Sequence, residues 1–143
     1  MLFQLLHLDH IVLRCHSLPI MLDFYQQILG CTVERCLPEL GLYQLRAGAQ
    51  LIDLISVEGE LGQEGGAAPG VEGHNLAHFC LRISPYDATA LTTFFNQLGI
   101  KVSASVQRYG ADGFGPSVYI QDPMGNTIEL KGPPNSAACP RLT

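Results

Sequence analysis

Charge is scarce in this chain, and long apolar runs are absent. Only 15% of the 143 residues are charged, against about 25% in an ordinary soluble domain. A surface poor in charge suits a subunit interface, so the composition favours a homodimer. The net charge of −5 excludes nucleic acid and anionic membrane surfaces as main partners. No apolar stretch reaches about 18 residues, so no transmembrane helix is expected. The opening MLFQLLHLDH has neither a basic n-region nor a small-residue cleavage site, and it does not read as a secretory signal. The motif Cys-x-x-Cys does not occur. Five cysteines are present, Cys15, Cys31, Cys36, Cys80 and Cys139. Their odd number and spacing exclude a disulfide framework and a zinc ribbon, and most read as small buried hydrophobes. Hydrophobic residues make up 47% of the chain, which excludes disorder. A chain of this length buries roughly two-thirds of its unfolded surface and folds as one domain. The expectation is a soluble, cytoplasmic domain.

The chain contains one internal repeat. Leu8-Asp9-His10-Ile11-Val12-Leu13-Arg14-Cys15 recurs as Leu76-Ala77-His78-Phe79-Cys80-Leu81-Arg82-Ile83. His10, Leu13 and Arg14 thus return as His78, Leu81 and Arg82 at the same spacing. Each copy continues into a helical stretch that ends in glycine, at Gly30 and at Gly99. Each closes with a matching strand, around Ile52-Asp53-Leu54 and Ile128-Glu129-Leu130. A repeat of this kind decides the fold before any single element does.

Residues 8–15 and 76–83 alternate as strands do. Ser17 with Pro19 marks one helix start, and Ser84 with Pro85 marks the other. One helical face carries Leu18, Met21, Leu22, Tyr25, Ile28 and Leu29; the other carries Leu91, Phe94, Phe95 and Leu98. Further strands are expected over 31–36, 42–46, 50–57, 101–107, 117–121 and 127–131. The chain therefore reads as α+β, two βαβββ modules over about 7–57 and 76–132. Glycine-rich residues 58–75 read as a linker or mobile loop, and 133–143 as an irregular tail.

Strand parity sorts the faces. Ile11, Leu13 and Cys15 face the helix, and His10, Val12 and Arg14 face away. Likewise His78, Cys80 and Arg82 oppose Phe79, Leu81 and Ile83. The closing strands place Asp53 and Glu129 opposite their apolar neighbours. Two histidines and two carboxylates thus occupy equivalent positions and would meet if the helix-free faces form one cleft. Imidazole nitrogen and carboxylate oxygen suit a borderline divalent ion, namely zinc, nickel, cobalt, iron or manganese, with room for water or substrate.

These residues resemble the glyoxalase, bleomycin-resistance and extradiol-dioxygenase group, the vicinal oxygen chelate superfamily, over about residues 7–132. The marks are Leu8-Asp9-His10-Ile11-Val12, Asp23-Phe24-Tyr25 with Leu29-Gly30, Leu76-Ala77-His78, and Asp122-Pro123-Met124-Gly125-Asn126-Thr127-Ile128-Glu129-Leu130. The resemblance implies a metal-bearing cleft with His10, His78 and Glu129 as ligands and Asp53 at the fourth position, where glyoxalase I enzymes carry Glu. It implies a small-molecule substrate, and often a dimer. In glyoxalase-I-like chemistry the metal stabilises an enediolate, and Glu129 and Asp53 would be the catalytic carboxylates. Arg14 stands where an arginine helps bind glutathione in that family. Val57 and His74 stand where Asn and Arg would be expected, so a different thiol or an oxo-acid substrate is favoured. Two other chemistries share the ligand set: iron-dependent ring cleavage and thiol transfer. A bleomycin-resistance-like binder without catalysis is the non-enzymatic alternative.

The remaining polar residues read more plainly. Arg108 and Tyr109 are expected at the pocket mouth as substrate contacts, beside a glycine-rich stretch 110–115 that could act as a lid. That stretch lacks the strand–loop–helix context of a nucleotide loop. His7 and His16 read as solvated or structural, His74 as a loop residue, Cys80 as packing, and Arg82 as a solvated strand end.

Overall fold

The computed structural model describes residues 2–135. The chain forms two compact units that divide between Asn75 and Leu76, and each carries one four-stranded sheet. The first unit holds β1 (His10–Cys15), α1 (Leu18–Asp23), β2 (Thr32–Leu37), β3 (Leu42–Ala47), β4 (Gln50–Ser56) and α2 (Glu60–Glu64). The second holds β5 (Phe79–Arg82), α3 (Ala88–Gln97), β6 (Val106–Gly110), β7 (Gly113–Gln121) and β8 (Thr127–Lys131). The sheet orders are β1-β4-β3-β2 and β5-β8-β7-β6. In each, the opening strand lies parallel to the closing strand, and the other pairs are antiparallel. The architecture is α+β, two repeated βαβββ modules.

Burial alternates along β1, whereas the central strands β4 and β8 are buried on both faces over residues 52–55 and 128–131. Leu13, Cys15, Ile52 and Leu54 are buried, together with Met21, Phe24 and Tyr25 of the helical segment. In the second unit Phe79, Phe95, Val118, Ile120, Ile128 and Leu130 are buried. Each such side chain withdrawn from water contributes about 1.5–3 kcal/mol. A one-residue slip of β4 or β8 would therefore lose several of these contributions at once and is strongly disfavoured. Register carries the polar residues with it: Val12 lies beside Asp53, and Cys80 beside Glu129.

Several local expectations change. The first helix is not regular throughout: Phe24–Ile28 forms a π-helical turn, with the Leu29 amide donating to the Phe24 carbonyl at 3.2 Å. Adjacent Phe24 and Tyr25 are both buried, edge to face with centroids 5.4 Å apart. The second long helix starts at Ala88, not at Pro85, because Asp87 caps it by accepting from the Ala90 amide at 2.9 Å. Of its expected apolar stripe only Phe95 is fully buried, while Phe94 and Leu98 remain exposed.

Strand β6 begins at Val106, five residues later than Lys101. Ser103 explains the delay. Its amide donates to the Tyr119 carbonyl, but its side-chain Oγ accepts from the Tyr119 amide, so the backbone ladder is interrupted there. A further change is in residues 58–75, where the short helix α2 packs close to the end of β4. A Cβ on Gly62 would collide with the Ser56 carbonyl, so only glycine fits that approach. Residues 132–135 are irregular, and the rest of the expected tail, including Cys139, lies outside the described residues. Cys15 and Cys31 are buried as expected, but Cys36 and Cys80 are exposed. Among the described residues no helix is long and apolar enough to cross a membrane.

Candidate active site

In the first unit, β1 and β4 present His10 and Asp53. Asp9, immediately before β1, accepts from His10 Nδ1 at 2.7 Å. With Nδ1–H committed, Nε2 is the nitrogen left to bind a ligand, the arrangement typical of metal-binding histidines. The Asp9 hydrogen bond comes first among the causes that raise the His10 pKa above its ordinary value, and the charges of Asp53 and Asp9 act in the same direction. The His10 side chain is 46% exposed, whereas Asp53 is only 4% exposed. Gln44, opposite Asp53 on β3, donates its side-chain amide to Asp53 Oδ2 at 2.9 Å. The other oxygen, Oδ1, is buried with no hydrogen-bond partner among the described residues.

The second unit builds a similar pair. His78 precedes β5, and its Nε2 lies 3.4 Å from Glu129 Oε2 on β8. Glu129 is 6% exposed. Its other oxygen, Oε1, accepts from the hydroxyl of fully buried Ser117 on β7 at 2.6 Å. The Tyr119 ring meets His78 edge to face, with centroids 5.9 Å apart. Cys80 lies directly across from Glu129. Burial, and next the Glu129 charge, push its thiol pKa up to about 11. Cys80 is therefore poorly suited to act as a nucleophile near neutral pH. Lys131, almost fully buried, donates its ammonium to the Arg108 and Gly115 carbonyls and so holds the β6–β7 hairpin.

The expected substrate contacts fall in different settings. Arg14 donates through Nε to the Gly62 carbonyl, through Nη1 to those of Gly65 and Ala67, and through Nη2 to that of Gly66. The stretch expected as a flexible linker is thus the seat of a guanidinium. A Cβ on Gly65 would fall 2.6 Å from Arg14 Cζ. His16 ties down the same segment through the Pro69 carbonyl, at 3.0 Å. Arg108 is exposed, donates from Nε to the Tyr119 hydroxyl at 3.2 Å and stands over that ring. Tyr109 is exposed and pairs across the hairpin with Phe114, centroids 5.1 Å apart. Arg82 is not simply solvated, since it donates to the Gly132 carbonyl and to Asp112.

Gln44, Ser117 and Tyr119 had not been singled out. All three are uncharged strand residues with no motif of their own. The signal that finds them is strand pairing: the short β3–β4 and β7–β8 connections set Gln44 opposite Asp53 and Tyr119 opposite Glu129, with Ser117 two residues away on the same face.

A sequence model of the Glyoxalase/Bleomycin resistance protein/Dioxygenase superfamily matches residues 7–130. The chain belongs to this superfamily. It is 32% identical over 125 residues to a virulence protein, STM3117, of Salmonella typhimurium, covering 86% of this chain and 81% of that protein. It is 33% identical over 124 residues to the glyoxalase domain-containing protein RDO1 of Mycosarcoma maydis, covering 86% of this chain but 66% of that protein. The crystal structure of the Salmonella protein superposes with a TM-score of 0.75 at 27% identity, over 91% of this chain and 98% of that one. A lactoylglutathione lyase from Agrobacterium tumefaciens shares the fold at 23% identity and a TM-score of 0.62, over 88% of this chain and 92% of that one.

Members of the superfamily often use a divalent metal. Among the described residues no group of three or more His, Cys, Asp or Glu side chains stands close enough to hold an ion. Each unit does supply two donors whose chemistry suits a divalent ion, one half-exposed histidine and one buried carboxylate. The partnerless Asp53 Oδ1 is the strongest sign of fit, because a buried carboxylate oxygen needs a donor or a cation.

Proposed function

We propose that the chain is a divalent-metal-dependent enzyme, a glyoxalase-I-like lyase or isomerase for a small substrate with two adjacent oxygens. The observation that carries this reading is Asp53 Oδ1, buried and without a hydrogen-bond partner among the described residues. Leaving such an acceptor unsatisfied costs about 1–3 kcal/mol, more when charged, and a bound cation would remove that cost. The candidate donors are His10 and Asp53 in the first unit and His78 and Glu129 in the second, and their chemistry suits zinc, nickel, cobalt, manganese or iron. When bound, the ion would polarise the substrate oxygens and offset charge developing on them.

The protein's own part is proton transfer. Glu129 would take the carbon-bound proton beside a carbonyl and return it to the neighbouring carbon, and Asp53 would serve as its counterpart. Burial suits this role, since proton transfer gains when water does not compete for the base. Arg108 and Tyr109 would contact the substrate from the exposed hairpin. The four carbonyls on Arg14 favour a thiol other than glutathione, or an oxo acid, because that guanidinium is already engaged. Low charge content favours a homodimer, and five cysteines with neither a Cys-x-x-Cys motif nor a disulfide-framework spacing favour a reducing compartment such as the cytoplasm.

The test is proton exchange. Protein loaded in turn with each of these metals is incubated in deuterated water with a panel of 2-oxoaldehyde hemithioacetals and 2-oxo acids. At least one substrate should exchange its carbon-bound proton, and Glu129→Gln should lose the exchange. If no substrate exchanges with any metal, the lyase or isomerase reading fails.

A further inference from the structure

Both carboxylates are held in the same way, and this points to a role for two neutral residues. Asp53 has one oxygen bound by the Gln44 amide at 2.9 Å and the other with no hydrogen bond among the described residues. Glu129 has one oxygen bound by the Ser117 hydroxyl at 2.6 Å and the other turned to His78 at 3.4 Å. In both cases the donor comes from the neighbouring antiparallel strand, β3 or β7. In both it is uncharged, so it fixes the carboxylate without neutralising it. A lysine or arginine at either place would compete with a bound cation for the same charge.

We infer that Gln44 and Ser117 are positioning residues, each immobilising one carboxylate oxygen so that the other, Asp53 Oδ1 or Glu129 Oε2, is presented to the metal. This rests on the metal-dependent reading above. The chemistry favours it over plain packing. Ser117 is fully buried, and a hydroxyl there is satisfied by its bond to Glu129; a packing role alone would be filled as well by alanine. The Gln44 amide spans the strand pair to reach Asp53, and methionine would fill nearly the same space without the bond. Groups that orient metal ligands typically change metal affinity 10–100-fold when removed.

The test is calorimetric titration of metal-free protein with Ni²⁺ or Zn²⁺, for wild type, Ser117→Ala, Ser117→Thr and Gln44→Met. Melting temperatures of the metal-free proteins serve as folding controls. Affinity should fall at least tenfold in Ser117→Ala and in Gln44→Met, and Ser117→Thr, which keeps the hydroxyl, should restore it. Unchanged affinity in both losing variants would overturn the inference while leaving the metal reading intact. If wild type binds neither metal, and cobalt, manganese and iron(II) are not bound either, the metal reading fails, and crystal structures of metal-free Ser117→Ala and Gln44→Met decide the positioning roles. Displacement of the Glu129 and Asp53 carboxylates would support them, and unmoved carboxylates would overturn them. If Ser117→Thr does not fold, Gln44→Met carries the same decision.

Discussion

Asp53→Asn should stabilise the metal-free protein and weaken the metal-loaded one. In the wild type Oδ1 is buried without a partner, while Oδ2 accepts from Gln44. Asparagine can still accept from Gln44 through its carbonyl oxygen. What it places at the orphan position is a neutral amide in place of a share of a negative charge. An unpaired buried neutral group costs about 1–3 kcal/mol, and a charged one costs more. A net gain of about 1 kcal/mol is therefore expected in chelator, a rise of about 4 °C in Tm for a chain of this size. With metal present the sign reverses. Wild type gains about 2.7 kcal/mol at a free metal concentration one hundred times Kd, and the variant loses most of that gain. Differential scanning calorimetry in chelator and in excess Ni²⁺ or Zn²⁺ reads both. The two melting curves should change order between the two conditions. A variant less stable in chelator, with an undiminished shift on adding metal, would refute the reasoning about Oδ1.

Three further outcomes follow from the geometry. Arg14→Ala should cost about 1–3 kcal/mol through its lost carbonyl contacts and should speed amide exchange over residues 60–67; unchanged exchange would show that the guanidinium does not order that segment. Alkylation with iodoacetamide at pH 8 should label exposed Cys36 well before Cys80, whose thiol lies near 11; Cys80 labelling should climb only as pH approaches that value, and Glu129→Gln should bring it down the pH scale by removing the second cause. Equal labelling rates at pH 8 would contradict this. The His10 pKa should lie above 6.5, and Asp9→Asn should lower it, as followed by NMR titration. Because the folded value is raised, the Asp9–His10 contribution to stability is fully present below 6.5 and is lost as pH rises through the folded value. No change in His10 on replacing Asp9 would sink the assignment of that bond as the cause.

Much of the fold was legible because the repeat and the period-2 pattern are both properties of spacing. The closing strands around Asp53 and Glu129 were readable from the sequence, since a central strand must bury Ile52, Leu54, Ile128 and Leu130 together. What spacing does not carry is competition between local hydrogen bonds. Ser84–Pro85 has the composition of a helix start, yet the Asp87 carboxylate reaches the Ala90 amide and sets the start there. Ser103 replaces a ladder acceptor with its own hydroxyl, and β6 begins later. The glycines of residues 58–75 read as flexibility, although two of them are required by close approach, Gly62 to the Ser56 carbonyl and Gly65 to Arg14. The candidate site was legible in its charged members, because the His and acid positions repeat. Its neutral members were not, because Gln44 and Ser117 are defined only by the strand opposite.

The most direct test of the account is elemental analysis of protein purified without chelators or a metal-affinity step, beside Glu129→Ala prepared in the same way. The account predicts close to one divalent ion per chain in the wild type and a large loss in the variant. Nickel, cobalt, zinc or manganese would agree with proton-transfer chemistry, and iron would direct the search to ring cleavage. No metal in either protein, with none taken up by wild type on titration, would contradict the central claim.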